Sequence, residues 1–325
     1  MKQFLIIQTA FIGDVILATP LIEKLRQHYP DAGIDFLLRK GNEALLSNNP
    51  HLQQLYVLDK KTRKYAHVLQ MIRKIRKLRY DYVINLQRFF TTGVISLFAR
   101  SQHKAGFDKN PLAFAYDLKV HHEIGNGKHE IERNLELLEP ITGSEFTRPR
   151  LYPSREHYNK VKPLKERAYL TIAPASVWFT KQFPKEKWIG LLGKLSPQYD
   201  IHMIGGPEDH ELCMQIIQES GRERVFNLAG KLSFLETAAL MENARMNYVN
   251  DSAPLHMASA MNAPVTAVFC STVPEFGFYP VSDQSHVLET DIDLYCRPCG
   301  LHGFHACPEG HFRCARTIDI NKLLI

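Results

Sequence analysis

Three short polar clusters in the sequence each lie between an apolar, strand-like run and a helix-like pattern. The first is Thr9-Ala10-Phe11-Ile12-Gly13-Asp14. Gly13 allows a tight turn and close approach of a ligand. Asp14 falls near a helix N-terminus, where the dipole favours the ionised carboxylate by about 0.3–1 kcal/mol. A carboxylate at the carboxyl end of a strand suits a general base, and it serves equally as a helix cap. The cluster has one glycine where a dinucleotide fingerprint needs three.

The second cluster is Ala175-Ser176-Val177-Trp178-Phe179-Thr180-Lys181-Gln182-Phe183-Pro184. Ser176, Thr180 and Lys181 bring hydroxyl and ammonium donors beside free backbone N–H groups, a set suited to the phosphates of a nucleoside diphosphate. A polar surface turn with a solvated lysine has the same composition. The P-loop spacing is absent. The third cluster is Asn250-Asp251-Ser252-Ala253-Pro254-Leu255-His256. Its small residues and early helical N–H groups make a second anion site; Asp251 also reads as a cap and His256 as a buried histidine. Glu208, just after Gly205-Gly206-Pro207, stands where a carboxylate binds ribose hydroxyls or simply begins a helix.

The elements that must position these clusters alternate strand and helix, the pattern of parallel α/β architecture. Strands are expected at 4–10, 34–40, 54–59, 82–87 and 104–108, with helices at 14–28, 65–79 and 91–100. The rhythm weakens over 120–168, apart from a helical stretch at 129–139, and then restarts. Strands follow at 169–176, 201–206, 225–230, 246–251 and 265–270, with helices at 185–195, 208–220 and 234–244 and a short one from 254. The chain of 325 residues, 45% apolar and 23% charged, is long enough for two cores. The expectation is two Rossmann-like, doubly wound domains, 1–160 and 161–325, facing a central cleft, with Asp14 and Lys181 on opposite sides of it.

All three clusters carry a family resemblance. Q-T-A-F-I-G-D-V-I-L-A-T-P resembles the R-T-S-x-x-G-D-x-x-x-x-x-P motif of glycosyltransferase family 9, the heptosyltransferases. N-D-S-A-P-L-H-M-A-S-A-M-N-A-P-V-T-A-V-F is similar to that family's D-T-G-x-x-H-x-A-A-A-x-x-x-P segment, and K-Q-F-P to its K-x-W-P element. The matches run in order over residues 3–275. Ala253 and Pro254 replace the usual glycine and its follower, and Val177 replaces a polar residue.

The resemblance implies a GT-B fold with the acceptor on the first domain and the sugar nucleotide on the second. It implies Asp14 as the catalytic base and Gly13 beside the acceptor. Ser176, Thr180 and Lys181 would hold the diphosphate, Glu208 the ribose, and Leu232 would pack on the base. Asp251, Ser252, Ala253 and His256 would surround the donor sugar. The implied reaction is inverting, with Lys181 and helix N-termini doing the electrostatic work that a divalent metal does elsewhere. A sugar-nucleotide epimerase of the same fold is one alternative, and a silent sugar-nucleotide binder is another.

Net charge is +6, which favours anionic partners. Lys60, Lys61, Arg63, Lys64, Arg73, Lys74, Arg76, Lys77 and Arg79 run without an acid between them, interleaved with apolar residues at helical spacing. Such a face is either merely solvated or a contact for an anionic lipid-linked saccharide or the inner membrane surface. No nucleic-acid motif is present. Gln8, Thr9 and Asp14 break the apolar start, against a signal peptide, and no apolar run spans a bilayer, so a cytoplasmic protein is expected.

Cys296-x2-Cys299-x7-Cys307-x6-Cys314 is compatible with a structural zinc, although disulfides or reduced thiols fit the spacing too. No cofactor is expected to be required for catalysis. Asp291-Ile292-Asp293 spells a metal-binding D-x-D by coincidence, and the closing segment 317–325 is expected to fold back on the first domain.

Overall fold

The computed structural model describes residues 1–60, 64–143 and 145–324. The chain divides into two compact units, Met1–Ile124 with Lys128–Tyr152, and Gly125–Gly127 with Pro153–Ile325.

The first unit is built on β1 (Gln3–Ile7), β2 (Gly33–Arg39), β3 (Gln54–Leu58), β4 (Tyr80–Asn85), β5 (Ser101–Phe107) and β6 (Leu118–Val120). They form one sheet in the order β3-β2-β1-β4-β5-β6, and every pairing is parallel. The second unit uses β7 (Tyr169–Ala173), β8 (Asp200–Met203), β9 (Val225–Asn227), β10 (Asn247–Asn250), β11 (Val265–Val268) and β12 (Ser285–Leu288). Its order, β12-β11-β10-β7-β8-β9, is the same winding, again all parallel. In each sheet the winding reverses beside the first strand, between β1 and β4 and between β7 and β10. Such a switch point opens a crevice at the carboxyl ends of the strands.

The helices of the first unit are α1 (Ile12–His28), α2 (Glu43–Leu46), α3 (Lys64–Ile75), α4 (Phe90–Phe98), α5 (Glu130–Leu135) and α6 (Glu139–Thr142). Those of the second are α7 (Arg155–Val161), α8 (Lys185–Lys194), α9 (His210–Ser220), α10 (Phe234–Glu242), α11 (Ala253–Ala260) and α12 (Arg313–Arg316). Strands buried on both faces read as near-continuous apolar runs, as Phe4-Leu5-Ile6-Ile7 does, with no solvent exposure. In the first unit, Val68, Met71, Ile72 and Ile75 of α3 pack on Leu5, Ile7 and Leu37 of the sheet. In the second, Trp188 and Leu191 of α8 pack on Ile172 and Met203.

Three expectations need correction. The division falls at Tyr152 rather than at 160, because α7 packs on α10 of the second unit. The basic helix stops at Ile75 rather than 79, and Arg79 leads into β4. The closing segment is a single 3-10 turn, Ile320–Leu323, that packs on α8 of the second unit, where Lys187 Nζ donates to the Ile318 carbonyl at 2.9 Å.

Candidate active site

In the first unit the chain leaves β1, turns through Gln8–Phe11 and enters α1. Phe11 is the extended residue before the helix, and its N–H donates to Asp14 Oδ2 at 3.0 Å. Asp14 therefore does cap the helix, and the cap holds the carboxylate at the mouth of the β1/β4 crevice beside Gly13. Burial, and then the negative charge of Glu130, push the Asp14 carboxyl up to about 6. Glu130 on α5 is held by His122 Nε2 at 3.2 Å and by Arg133 Nε at 2.8 Å, and these two partners keep it below the usual carboxylate range despite its burial. A carboxylate with its pKa near neutrality makes an effective proton acceptor at physiological pH.

Lys60 donates from Nζ to the Thr9 carbonyl at 2.8 Å and to Thr9 Oγ1 at 2.7 Å, so it braces the turn that carries Asp14. Lys61 and Arg63 lie outside the described residues. Lys64 opens α3, and its side chain also lies outside them.

In the second unit the two predicted donor clusters converge at the β7/β10 switch point. Lys181 Nζ meets Asp251 Oδ2 at 2.6 Å, and Thr272 Oγ1 donates to the same oxygen at 2.6 Å. Asn250 stitches the loops together: its Nδ2 donates to the Pro174 carbonyl at 2.8 Å, and its Oδ1 accepts from the Phe183 N–H at 2.9 Å. Ser252 and Ala253 start α11, whose N-terminus points its dipole toward this crevice, and His256 is buried on the same helix. Ser176 is half-buried, and its carbonyl accepts from Gln182 Nε2 at 2.6 Å. Glu208 is exposed in the 3-10 turn after β8, and Leu232 is half-buried just before α10.

Thr180 is placed differently from the sequence expectation. It is 1% exposed, and its Oγ1 accepts from the Phe304 N–H at 2.7 Å and from Ser271 Oγ at 3.0 Å. Its N–H donates to the Phe304 carbonyl at 3.1 Å. With its hydroxyl spent on Phe304 and Ser271, Thr180 anchors the loop 174–184 from beneath.

That anchor reaches into the cysteine segment, a connection absent from the sequence reading. Trp178 packs against His305 with the ring planes tilted by 42° and the centroids 4.6 Å apart. Gly303 packs so tightly that a Cβ there would stand 2.7 Å from Thr180 Oγ1, and its φ of +76° is one that only glycine adopts without strain. Cys296, Cys299, Cys307 and Cys314 line one cavity of about 260 Å³, with Thr180 and Phe304 also on its wall. All four are free thiols. Burial raises Cys314 to about 12, with the charges of Cys299 and Cys307 adding to the effect. Among the described residues, no group of three or more His, Cys, Asp or Glu side chains is arranged to hold a metal ion. Asp291 of the D-x-D is occupied by Lys322 Nζ at 2.7 Å.

Residues 68–301 match the model of glycosyltransferase family 9 (heptosyltransferase). The chain belongs to that family. It is 30% identical over 285 residues to lipopolysaccharide heptosyltransferase 3 of Escherichia coli K12, covering 80% of each chain. Among solved structures, it resembles the E. coli ADP-heptose lps heptosyltransferase II at 21% identity, with a TM-score of 0.79, covering 100% of this chain and 96% of the other. E. coli heptosyltransferase WaaC with ADP is similar at 21% identity and a TM-score of 0.75, over 88% and 93% of the two chains. The α/β architecture is accordingly that of the GT-B fold, and this family member is a glycosyltransferase, which favours transfer over epimerisation.

Proposed function

We propose that this family 9 enzyme is an inverting, metal-independent heptosyltransferase that moves heptose from ADP-heptose onto the saccharide core of a lipopolysaccharide. The observation that carries the reading is Asp14, a capped carboxylate raised to about 6 at the crevice of the first unit. In the step, Asp14 takes the proton of an acceptor hydroxyl while that oxygen forms its bond to the anomeric carbon. The bond from that carbon to the diphosphate breaks on the opposite face, and its electron pair leaves on ADP. Lys181 and the N-terminus of α11 stabilise the departing charge. Glu208 meets the ribose and Leu232 packs on the adenine. Asp14→Asn should bind ADP normally and transfer nothing; near-normal turnover would remove Asp14 from the chemistry.

The acceptor's anionic lipid end would meet the exposed Arg73 and Lys74 of α3 together with Arg76 and Lys77 in the turn that follows it, beside the buried apolar stripe. Among the described residues no helix is long and apolar enough to cross a membrane, and the proposed location is the cytoplasmic face of the inner membrane. Flotation with vesicles of anionic but not neutral lipid supports this placement, and no flotation overturns it. No nucleic acid takes part in this reading.

A structural zinc at the four thiols is a separate proposal. The donor set is right in kind, and the thiols must draw inward from the cavity walls to close a tetrahedron. About one zinc per chain on elemental analysis supports it, and a metal-free, fully active chain overturns it.

A further inference from the structure

The crevice of the first unit carries more than a base. Phe11, between β1 and α1, is 59% exposed, and Phe89, after β4, is 50% exposed. These rings stand on the two loops that flank the switch point, and the loops are joined by the hydrogen bond from Gln87 Nε2 to Gln8 Oε1. Each ring has a cation over it. The Arg39 guanidinium lies 4.6 Å from the Phe11 centroid, and that of Arg88 lies 5.5 Å from Phe89. Among the described residues, neither arginine has a carboxylate partner or a hydrogen-bond acceptor for its side chain. Two exposed rings would ordinarily be buried, and a guanidinium as near a carboxylate as Arg39 is to Asp14 would ordinarily pair with it. Here the rings support the cations and leave their N–H donors unspent.

The platform beneath is fixed. Asn42 Nδ2 donates to the Ala10 carbonyl at 3.0 Å, Lys60 holds Thr9, and Asn110 Nδ2 donates to the Gln87 carbonyl at 2.7 Å. Arg39, at the end of β2, is near enough for its charge to act on Asp14.

Building on the heptosyltransferase reading, we propose that Arg39 on Phe11 selects an acceptor sugar bearing a carboxylate or phosphate beside the hydroxyl that attacks, with Arg88 on Phe89 as the second wall of that subsite. A guanidinium fork binds either oxyanion with two parallel hydrogen bonds. An aromatic face accepts the apolar C–H side of a pyranose, much as it accepts other apolar surface. The anion on Arg39 would fix the sugar's rotation and aim its hydroxyl at Asp14, so orientation as well as affinity depends on the pair.

The test uses the full chain with ADP-heptose and three acceptors: intact de-O-acylated core lipopolysaccharide, the same material treated with phosphatase, and the same material with its carboxyls reduced to alcohols. Arg39→Gln should raise the KM for the intact acceptor by about tenfold or more and leave the donor KM unchanged. Phe11→Ala should raise the acceptor KM in the same direction. With the acceptor that has lost the recognised anion, wild type and Arg39→Gln should become alike, and which treatment does so identifies carboxylate or phosphate. Retained ADP binding and melting temperature show that the variants fold. A wild-type acceptor KM in Arg39→Gln, or an equal penalty on all three acceptors, overturns the inference. If wild type transfers no heptose at all, the heptosyltransferase reading is what fails. Calorimetric binding of the intact core saccharide to wild type and Arg39→Gln then decides the Arg39 claim by itself.

Discussion

Lys181 and Asp251 form a 2.6 Å ion pair that joins loops arriving from β7 and β10, two neighbouring strands separated by about 70 residues of chain. Both side chains are largely buried, and Thr272 completes the carboxylate's coordination. An ammonium has three N–H donors, so Lys181 can keep Asp251 and still offer hydrogen bonds to an incoming diphosphate. The carboxylate also holds the ammonium in the position that the proposed donor site requires.

Lys181→Ala is therefore expected to do two things at once. It should weaken ADP binding by about tenfold or more, read by calorimetry. It should also lower stability by about 3–5 kcal/mol, because Asp251 is left buried without its partner. The double variant Lys181→Ala/Asp251→Asn should recover part of the stability and none of the binding.

The pH dependence of turnover should show Asp14. Only the ionised base works, so kcat/KM should fall on the acid side with a midpoint near 6, where burial and Glu130 place this carboxyl. The sign for stability is the reverse of that for a salt-bridged aspartate. The folded chain holds this proton more tightly than the unfolded chain does, so stability contributed at low pH is lost as pH rises through about 4 to 6. Asp14→Asn should therefore melt above wild type at pH 8 and level with it near pH 3. Equal melting temperatures at pH 8 would contradict the buried charge.

Glu130→Gln should move the acid limb of kcat/KM below 6, because it removes the second-largest cause of the Asp14 shift. Arg39 and the Phe11 N–H, which pull the other way, remain in place. An unmoved limb would mean that Glu130 only supports α5.

Gly303→Ala should damage donor binding from outside the donor loop. Its Cβ would stand 2.7 Å from Thr180 Oγ1, at a φ of +76°. A cost of about 1–3 kcal/mol in stability is expected, together with a raised KM for ADP-heptose as the Thr180 anchor shifts. A variant that melts like wild type with an unchanged donor KM would show that the cysteine segment does not support the loop.

The fold was legible where strands were long or buried on both faces. Phe4–Ile7 and Val265–Val268 announce themselves as apolar runs between turn residues. β6 and β12 did not. They are three and four residues long, lie at sheet edges, and carry polar residues such as Lys119 and His286 that a half-exposed edge tolerates. The basic run suggested a helix to 79, since charge and spacing persist past Ile75, yet the entry into β4 ended it.

The sequence by itself determined two doubly wound units with polar clusters at strand ends, because local apolar periodicity and family motifs are written in neighbouring residues. Tertiary structure alone decided which members of those clusters turn toward the crevice. Thr180 and Lys181 are adjacent in the chain, yet one faces inward to Phe304 and the other meets Asp251. Glu130 acts on Asp14, and Arg39 on Phe11, across separations no spacing rule encodes. The reason is physical: burial, charge and hydrogen bonding depend on distance in space, and only the packed sheet and its helices set that distance.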